Sequence, residues 1–535
     1  MKRRRLMTAI LAMTALLVCT VALFSPYAPV DGPVPDIEDV WAIEDAREES
    51  DAPLVTALEN NGMRLGYDAQ ENTFYCPVGL DNGEEWPGLH LSAPGATGVS
   101  LCFVDDYTYD WCEEAVREGY AYQILAYTQE KFWYTQVVFT GLPVVCLKMD
   151  SVIGLEEQKG TAAISAPGYE PIQADARLRV RGASTSYTKE KKSYKVEFAG
   201  GSHGVQYDVP GLGMESEIAL LSMLQDKTRD KLSWDLYAAL AGDDTAFGPR
   251  RTQHVELFVN DEYVGVYLMI ELMDAQKELG LAGESHLRED SVYRSTYLPF
   301  VRDRLTVKDP LKRQDGFGYE LRRTPNVGRE FDDLQPYLEL LKEEDDETFV
   351  RRALEMVDVD QLLRYVLFVQ ACGLTDNFHN NLFIWADKTG EGLRYAFYPW
   401  DLDLSWGRHA EAIDEESGRW MPYPLTDRLI NLDAGGARSR LAQIWKEMRE
   451  SVFVQENVAM LLEQYANELS ESGAMMRNEM RWNMGMSYPD GYEILEFAGS
   501  RFTALDGIIA QIAETEGSIA FLEMGYTKTM DEAKK

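Results

Sequence analysis

Apolar and polar positions change rhythm several times along the chain. Over residues 54–141, short apolar runs such as NTFYCPV, GVSLCFV, YAYQILAYT and YTQVVFT alternate with Gly, Asn and Asp turns, which predicts a compact β-rich module. A second strand-rich stretch begins at LPVVCLKM (142–149). Within it, ARLRVRGASTSYTKEKKSYKVEF predicts two alternating strands joined by a Gly/Ser/Thr loop, and HVELFVNDEYVGVYLMIELMD predicts a hairpin turning at Asn260–Asp261. Between these, ALLSMLQDKTRDKLSWDLYAALAG predicts a helix with Asp226 as N-cap and Leu232, Leu236, Ala239 and Leu240 on one face. After about residue 330 the spacing becomes helical, with Asp358 placed to cap the helix that runs into Cys372. The last 115 residues are also mostly helical in pattern. The expected layout is α+β: a β-rich lobe over 142–274 that enters a hinge near Glu271–Asp274, then a helical lobe over 275–535. No internal repeat is present.

The two ends of the N-terminal region read differently. Lys2, Arg3, Arg4 and Arg5 precede an apolar run from Leu6 to Phe24, the pattern of a secretory signal that is also just long enough to span a bilayer. Residues 1–24 are therefore expected to be either a signal peptide or a membrane anchor, with the rest of the chain extracytoplasmic, secreted or anchored. Residues 25–53 are Pro-rich and acidic and read as a linker or stalk.

An apolar fraction of 45% with 11% aromatics excludes a disordered or fibrous chain. The net charge is −37, which disfavours nucleic acid or an anionic lipid surface as a partner. It is compatible with ordinary solubility, with abundant cation binding, or with a protein substrate that is basic and Ser-rich. Of six cysteines, Cys76, Cys102, Cys112 and Cys146 fall in the first third. No spacing suggests zinc, and both a disulfide among these four and single buried thiols remain open.

The chemistry concentrates in TDNFHNNLFIWADKTGEGLRYAFYPWDLDLSWG (375–407). A helix ending at Gly373 leads to a loop with Asp376 and Asn381. A hairpin follows, and its return strand should bring Asp401 back beside that loop. Two carboxylates and an amide five residues from the first match the arrangement of a protein-kinase phosphoryl-transfer site: a hydroxyl-accepting Asp, a metal-holding Asn, and a metal-holding Asp after the next hairpin. Hard oxygen ligands suit Mg²⁺ or Mn²⁺. Upstream, KEKKSYKVEF offers Lys191, Lys192 and Lys195 to phosphates, the RGASTS loop offers backbone and hydroxyl donors, and Glu271 to Met273 offer backbone groups to an adenine ring. Taken singly, each is an ordinary turn, strand or solvated lysine; their order is what raises them together.

The segments RVRGASTSYTKEKKSYKVEF, ALLSMLQDKTRDKLSWDLYAAL, VELFVNDEYVGVYLMIE, DNFHNNLFIW and YPWDLDLSWG resemble the successive motifs of the spore coat protein H (CotH) kinase family. The resemblance implies a two-lobed, divergent protein-kinase-like fold that uses ATP and Mg²⁺ or Mn²⁺ to phosphorylate Ser or Thr on a secreted, spore-coat or cell-surface protein. By matching position, it makes Asp376 the catalytic base and Asn381 and Asp401 metal ligands. Lys192 then contacts the phosphates, with Arg181 and Ser184 in the preceding loop as further candidates. Asp403 shares the metal motif or bonds the turn that follows it. Three departures stand out: Glu190 replaces the usual Pro before the paired lysines, Lys231 stands where Arg is usual, and no Glu is identified as partner of the phosphate-binding Lys.

Two other functions compete. A non-catalytic surface binding or adhesion protein on a kinase-like scaffold would use the acidic stalk and the first module. A hydrolase using Asp401 and Asp403 is disfavoured, because residues i and i+2 of an extended segment face opposite ways. His379 and His409 lack metal-binding spacing.

Overall fold

The structure is a computed structural model that describes residues 37–80, 89–102, 113–182, 190–199, 205–223, 228–241, 248, 250–273, 290–296, 318–378, 380–388, 392–408, 418–482 and 491–522. The expected signal or anchor, Asp226, Ser184, Cys112, His379 and His409 lie outside these residues. Among the described residues no helix is long and apolar enough to cross a membrane. The chain is mixed α and β and divides into two compact units. The first comprises residues 1–224, 253–271 and 467–486; the second comprises 225–252, 272–466 and 487–535.

The two large sheets of the first unit each have a core of their own, and Tyr75 and Val138 of one pack against Val144, Phe258 and Tyr263 of the other. In the N-terminal module, strands Gly66–Asp68, Thr73–Pro77, Lys131–Thr140, Ala121–Tyr127 and Gly98–Leu101 lie side by side in that order. Phe74, Cys76, Ile124, Val137 and Phe139 fill one face, as alternating strands require. Residues 37–49, within the expected linker, are ordered: Ile37–Asp45 is a helix and Glu48–Glu49 pairs in parallel with Lys131–Thr140. Composition undercounted this segment because a few contacts dock a short helix: Val40 against Cys102, Leu125 and Phe132, Ile43 beside it, and Tyr134 Oη donating to the Glu44 carboxylate at 2.9 Å. Cys76, Cys102, Cys146 and Cys372 are free thiols.

The second sheet of this unit is a closed barrel. Its strands are β1 (Val144–Lys148), β2 (Gln158–Ser165), β3 (Ile172–Arg181), β4 (Ser193–Phe198), β5 (Glu217–Ser222), β6 (Thr252–Val259) and β7 (Glu262–Glu271). The order is β1-β2-β3-β4-β5-β7-β6, and β1 pairs in parallel with β6 to close it, which removes every free edge. Leu147, Ile164, Leu178, Val196, Leu220, Leu257 and Met269 fill the interior. The β3–β4 pair and the β6–β7 hairpin are those expected. Asn260 and Asp261 both take positive φ (52° and 62°), the conformation of a tight two-residue hairpin.

In the second unit, helix α1 (Arg229–Ala241) precedes a four-stranded sheet of β8 (Ser291–Thr296), β9 (Gly318–Arg323), β10 (Leu382–Asp387) and β11 (Arg394–Pro399), in the order β9-β8-β10-β11. Helix α2 (Val359–Cys372) lies in the core of this unit, with Leu362, Val366, Leu367 and Val369 buried. Its ends are set locally. Asp358 accepts a bond from the Gln361 N–H at 3.1 Å, and Gly373 closes the helix in the left-handed conformation at φ 67°.

Candidate active site

Immediately past Gly373 the chain makes one 3₁₀ turn, Thr375–Phe378, which carries Asp376, and then reaches Asn381 at the base of β10. Both ends of the β10–β11 hairpin are tied together there. Leu382 pairs with Pro399, and the Trp400 N–H donates to the Asn381 carbonyl at 2.9 Å. The fully buried Asn377 amide reinforces the tie, donating through Nδ2 to the carbonyls of Asn381 (3.1 Å) and Trp400 (2.8 Å). Asn381 and Asp401 both sit at positive φ, 50° and 58°, a conformation that Asn and Asp tolerate better than other non-Gly residues. The hairpin therefore returns Asp401 to the neighbourhood of Asp376.

The side chains meet in an ordered set. Asp376 Oδ2 accepts from Asn380 Nδ2 and from Asn381 Nδ2, each at 2.9 Å. Asn381 Oδ1 accepts from Arg294 Nη2 on β8 at 2.6 Å. Asp401 and Asp403 are exposed, whereas Asn381 is buried. Burial raises the Asp376 carboxyl above its ordinary range and the Asp401 charge pushes the same way; the bonds from Asn380 and Asn381 and the Arg294 charge oppose them.

The DLDLSWG segment is braced from below by α1. Leu402 N–H donates to the buried Asp230 carboxylate at 3.2 Å, Trp406 Nε1 donates to Ser233 Oγ at 3.0 Å, and Trp406 N–H donates to the Cys372 carbonyl at 2.7 Å. Ser405 Oγ returns a bond to the Leu402 carbonyl at 2.8 Å. These contacts fix the backbone on both sides of Asp403 and leave the Asp401 carboxylate facing solvent.

Of the sequence candidates, Asp376, Asn381 and Asp401 form one cluster in the second unit. Met273 belongs to that unit too and is buried; Arg181, Lys192 and Glu271 belong to the first. Arg181 ends β3 opposite Ser193, and Glu271 ends β7 opposite Ile218. The three lysines separate clearly. Lys191 is buried, its ammonium donating to the Val266 carbonyl (2.6 Å) and Asn478 Oδ1 (2.8 Å) and lying 4.6 Å from the Tyr267 ring centre. Lys195 pairs with Glu217 at 2.6 Å. Lys192, between them and just before β4, is half-buried.

Sequence reasoning missed Arg294, Asn377, Asn380 and Asp230 as members of the site. Asn377 and Asn380 stood inside the quoted motif and could have been found there. Arg294 is 87 residues from Asn381 and reaches it only because β8 pairs with β10, placing Arg294 opposite Phe383.

A divalent cation fits this donor set. The Asp401 charge is close enough to push the Asp376 carboxyl up, and a cationic group, the Arg294 guanidinium, already rests on the Asn381 oxygen. Among the described residues no three His, Cys, Asp or Glu side chains gather for a metal; the set here is two carboxylates and an amide.

No curated protein matches the chain. A family model described as CotH kinase protein matches residues 178–501, which covers the barrel from the last residues of β3 onward, the Asp376–Asn381–Asp401 cluster and most of the helical region. That span is more than half of the 535 residues, and the chain belongs to the CotH kinase family.

Proposed function

We propose that this protein is a protein kinase that transfers a phosphoryl group from ATP to Ser or Thr of a secreted, spore-coat or cell-surface protein. The observation that carries the reading is the Asp376–Asn381–Asp401 cluster, held by one hairpin and supplied with donors from Asn377, Asn380 and Arg294.

Asp376 serves as the base. Two amide donors fix its Oδ2, so that its other oxygen, Oδ1, is the one that accepts a proton from a substrate hydroxyl. Its partly buried position and raised pKa bring its basicity closer to neutrality, where proton acceptance is more effective. Asp401 and Asn381 would hold the metal, with Asp403 as a further candidate; Mg²⁺ or Mn²⁺ held there would supply charge neutralisation to the phosphoryl oxygens. By resemblance to the family motifs, Lys192, Arg181 and Ser184 are the candidates for the phosphates, and the strand entering the hinge offers the Glu271–Met273 backbone to adenine. On this proposal residues 142–274 form the nucleotide-side lobe and 275–535 carry the catalytic loop. The acidic surface favours a basic, Ser-rich protein substrate, delivered outside the cytoplasm where residues 1–24 direct the chain.

The test is incorporation of radiolabelled phosphate from ATP by the purified chain, into itself or into a basic Ser-rich protein, with Mn²⁺ or Mg²⁺ present. Metal-dependent incorporation that disappears in Asp376→Asn supports the reading. A chain that binds its surface partner equally well with Asp401→Ala, and never incorporates label, is a binding protein instead.

A further inference from the structure

Arg294 stands where the family motifs do not point, yet it places a positive charge directly on the cluster. It projects from β8, flanked by β9 and β10, with Glu320 and Phe383 as its register partners. Its Nη2 donates to Asn381 Oδ1 at 2.6 Å, a charge-assisted bond by both length and type. That bond also fixes the amide's orientation. With Oδ1 turned to the guanidinium, Nδ2 must face Asp376, as observed at 2.9 Å. A flipped amide would set donor against donor at Arg294 and acceptor against acceptor at Asp376.

The same oxygen is the one that a cation would need. Mg²⁺ binds oxygen at about 2.1 Å, so a metal on Asn381 Oδ1 would stand within roughly 4–5 Å of a guanidinium bonded to that atom. Two positive centres at that separation oppose each other in a site whose amide is already buried.

We infer that Arg294 is a built-in counter-charge that competes with the divalent cation for Asn381 and yields it when metal arrives with an anionic phosphate. The inference rests on the reading of the cluster as a metal and phosphate site. Its consequence is coupling. Metal alone must displace the guanidinium, whereas metal with nucleotide gives the displaced guanidinium phosphate oxygens as new partners. Arg294 is thus a positioning residue in the ligand-free state, and it makes metal affinity depend on nucleotide.

The experiment is Mn²⁺ binding to the full chain, followed by loss of the free-ion paramagnetic resonance signal, with and without a non-hydrolysable ATP analogue. The wild type should bind Mn²⁺ more tightly with nucleotide by a factor within the usual range of site coupling, about 5–150. Arg294→Met should bind Mn²⁺ alone more tightly than the wild type and lose most of the coupling. Arg294→Gln keeps a donor for Asn381 without the charge and should follow Arg294→Met, which guards against misfolding of that variant; Arg294→Lys should follow the wild type. Equal or weaker Mn²⁺ affinity in folded Arg294→Gln overturns this inference and leaves the kinase reading standing. No Mn²⁺ bound by any of the four proteins, with or without nucleotide, overturns both.

Discussion

Asn377 Nδ2 holds the carbonyl oxygens of Asn381 and Trp400 at 3.1 and 2.8 Å, and so joins the two chain segments that carry Asn381 and Asp401. One fully buried amide thus reinforces the hairpin pairing that sets the separation of the two candidate metal ligands. Asn377→Leu leaves both carbonyls without this donor and is expected to destabilise the protein by about 1–3 kcal/mol, the range for a buried group stripped of its partner. Urea unfolding measures that loss, and metal-dependent ATP binding should weaken in the variant even where it remains folded.

Asp376→Asn should separate catalysis from folding. With its oxygen in the Oδ2 position the substituted amide still accepts from both Asn380 and Asn381, so the thermal midpoint should change little. Phosphate incorporation should fall by about 10²–10⁴, as removal of a general base does, while nucleotide binding persists. A parallel collapse of stability would make Asp376 a structural residue.

A different constraint operates in the barrel. Gly265 takes φ +93°, and a Cβ there would lie 2.4 Å from Asn478 Oδ1 and 3.2 Å from Lys191 Nζ. Asn478 is the residue that bonds both the Lys191 ammonium and the Val266 N–H. Gly265→Ala therefore combines backbone strain with displacement of a buried ammonium's partner. Its expected destabilisation exceeds the roughly 1 kcal/mol of an ordinary conformational penalty. Chemical denaturation of the variant against the wild type checks this.

The buried Asp427 gives a pH signature. It accepts bonds from Trp420 Nε1 at 2.9 Å and the Tyr423 N–H at 3.1 Å, yet burial outweighs them and pushes its carboxyl up to about 8. The folded state then keeps the proton that the unfolded chain releases near pH 4. Stability from this group is full below about pH 4, falls as pH rises toward 8 by up to about 1.4 kcal/mol per unit, and is flat above that. Asp427→Asn should flatten that part of the pH profile of the thermal midpoint.

Legibility in the sequence followed the range of the forces. The Asp358 cap, the Gly373 stop, the Asn260–Asp261 turn and the β10–β11 hairpin are decided within a few residues, and each was readable from spacing. The convergence of Asp376, Asn381 and Asp401 was readable for the same reason, since one hairpin brings them together. Arg294 was not, because its place depends on strand pairing across 87 residues. Neither was the division among the lysines: period-2 alternation does not tell that Lys191 precedes the strand and is buried against the helix Ala474–Trp482. The helix Ile37–Asp45 was hidden by the acidic, Pro-rich composition around it.

The most direct test of the central claim is a thermal-shift titration with ATP and Mn²⁺ or Mg²⁺, comparing wild type with Asp401→Ala. At a hundredfold excess over the dissociation constant, ligand that binds only the folded state should stabilise the wild type by about 2.7 kcal/mol. That shift should require metal and nucleotide together and should vanish in Asp401→Ala. A wild type that does not respond, or an Asp401→Ala variant that responds equally, would contradict the account.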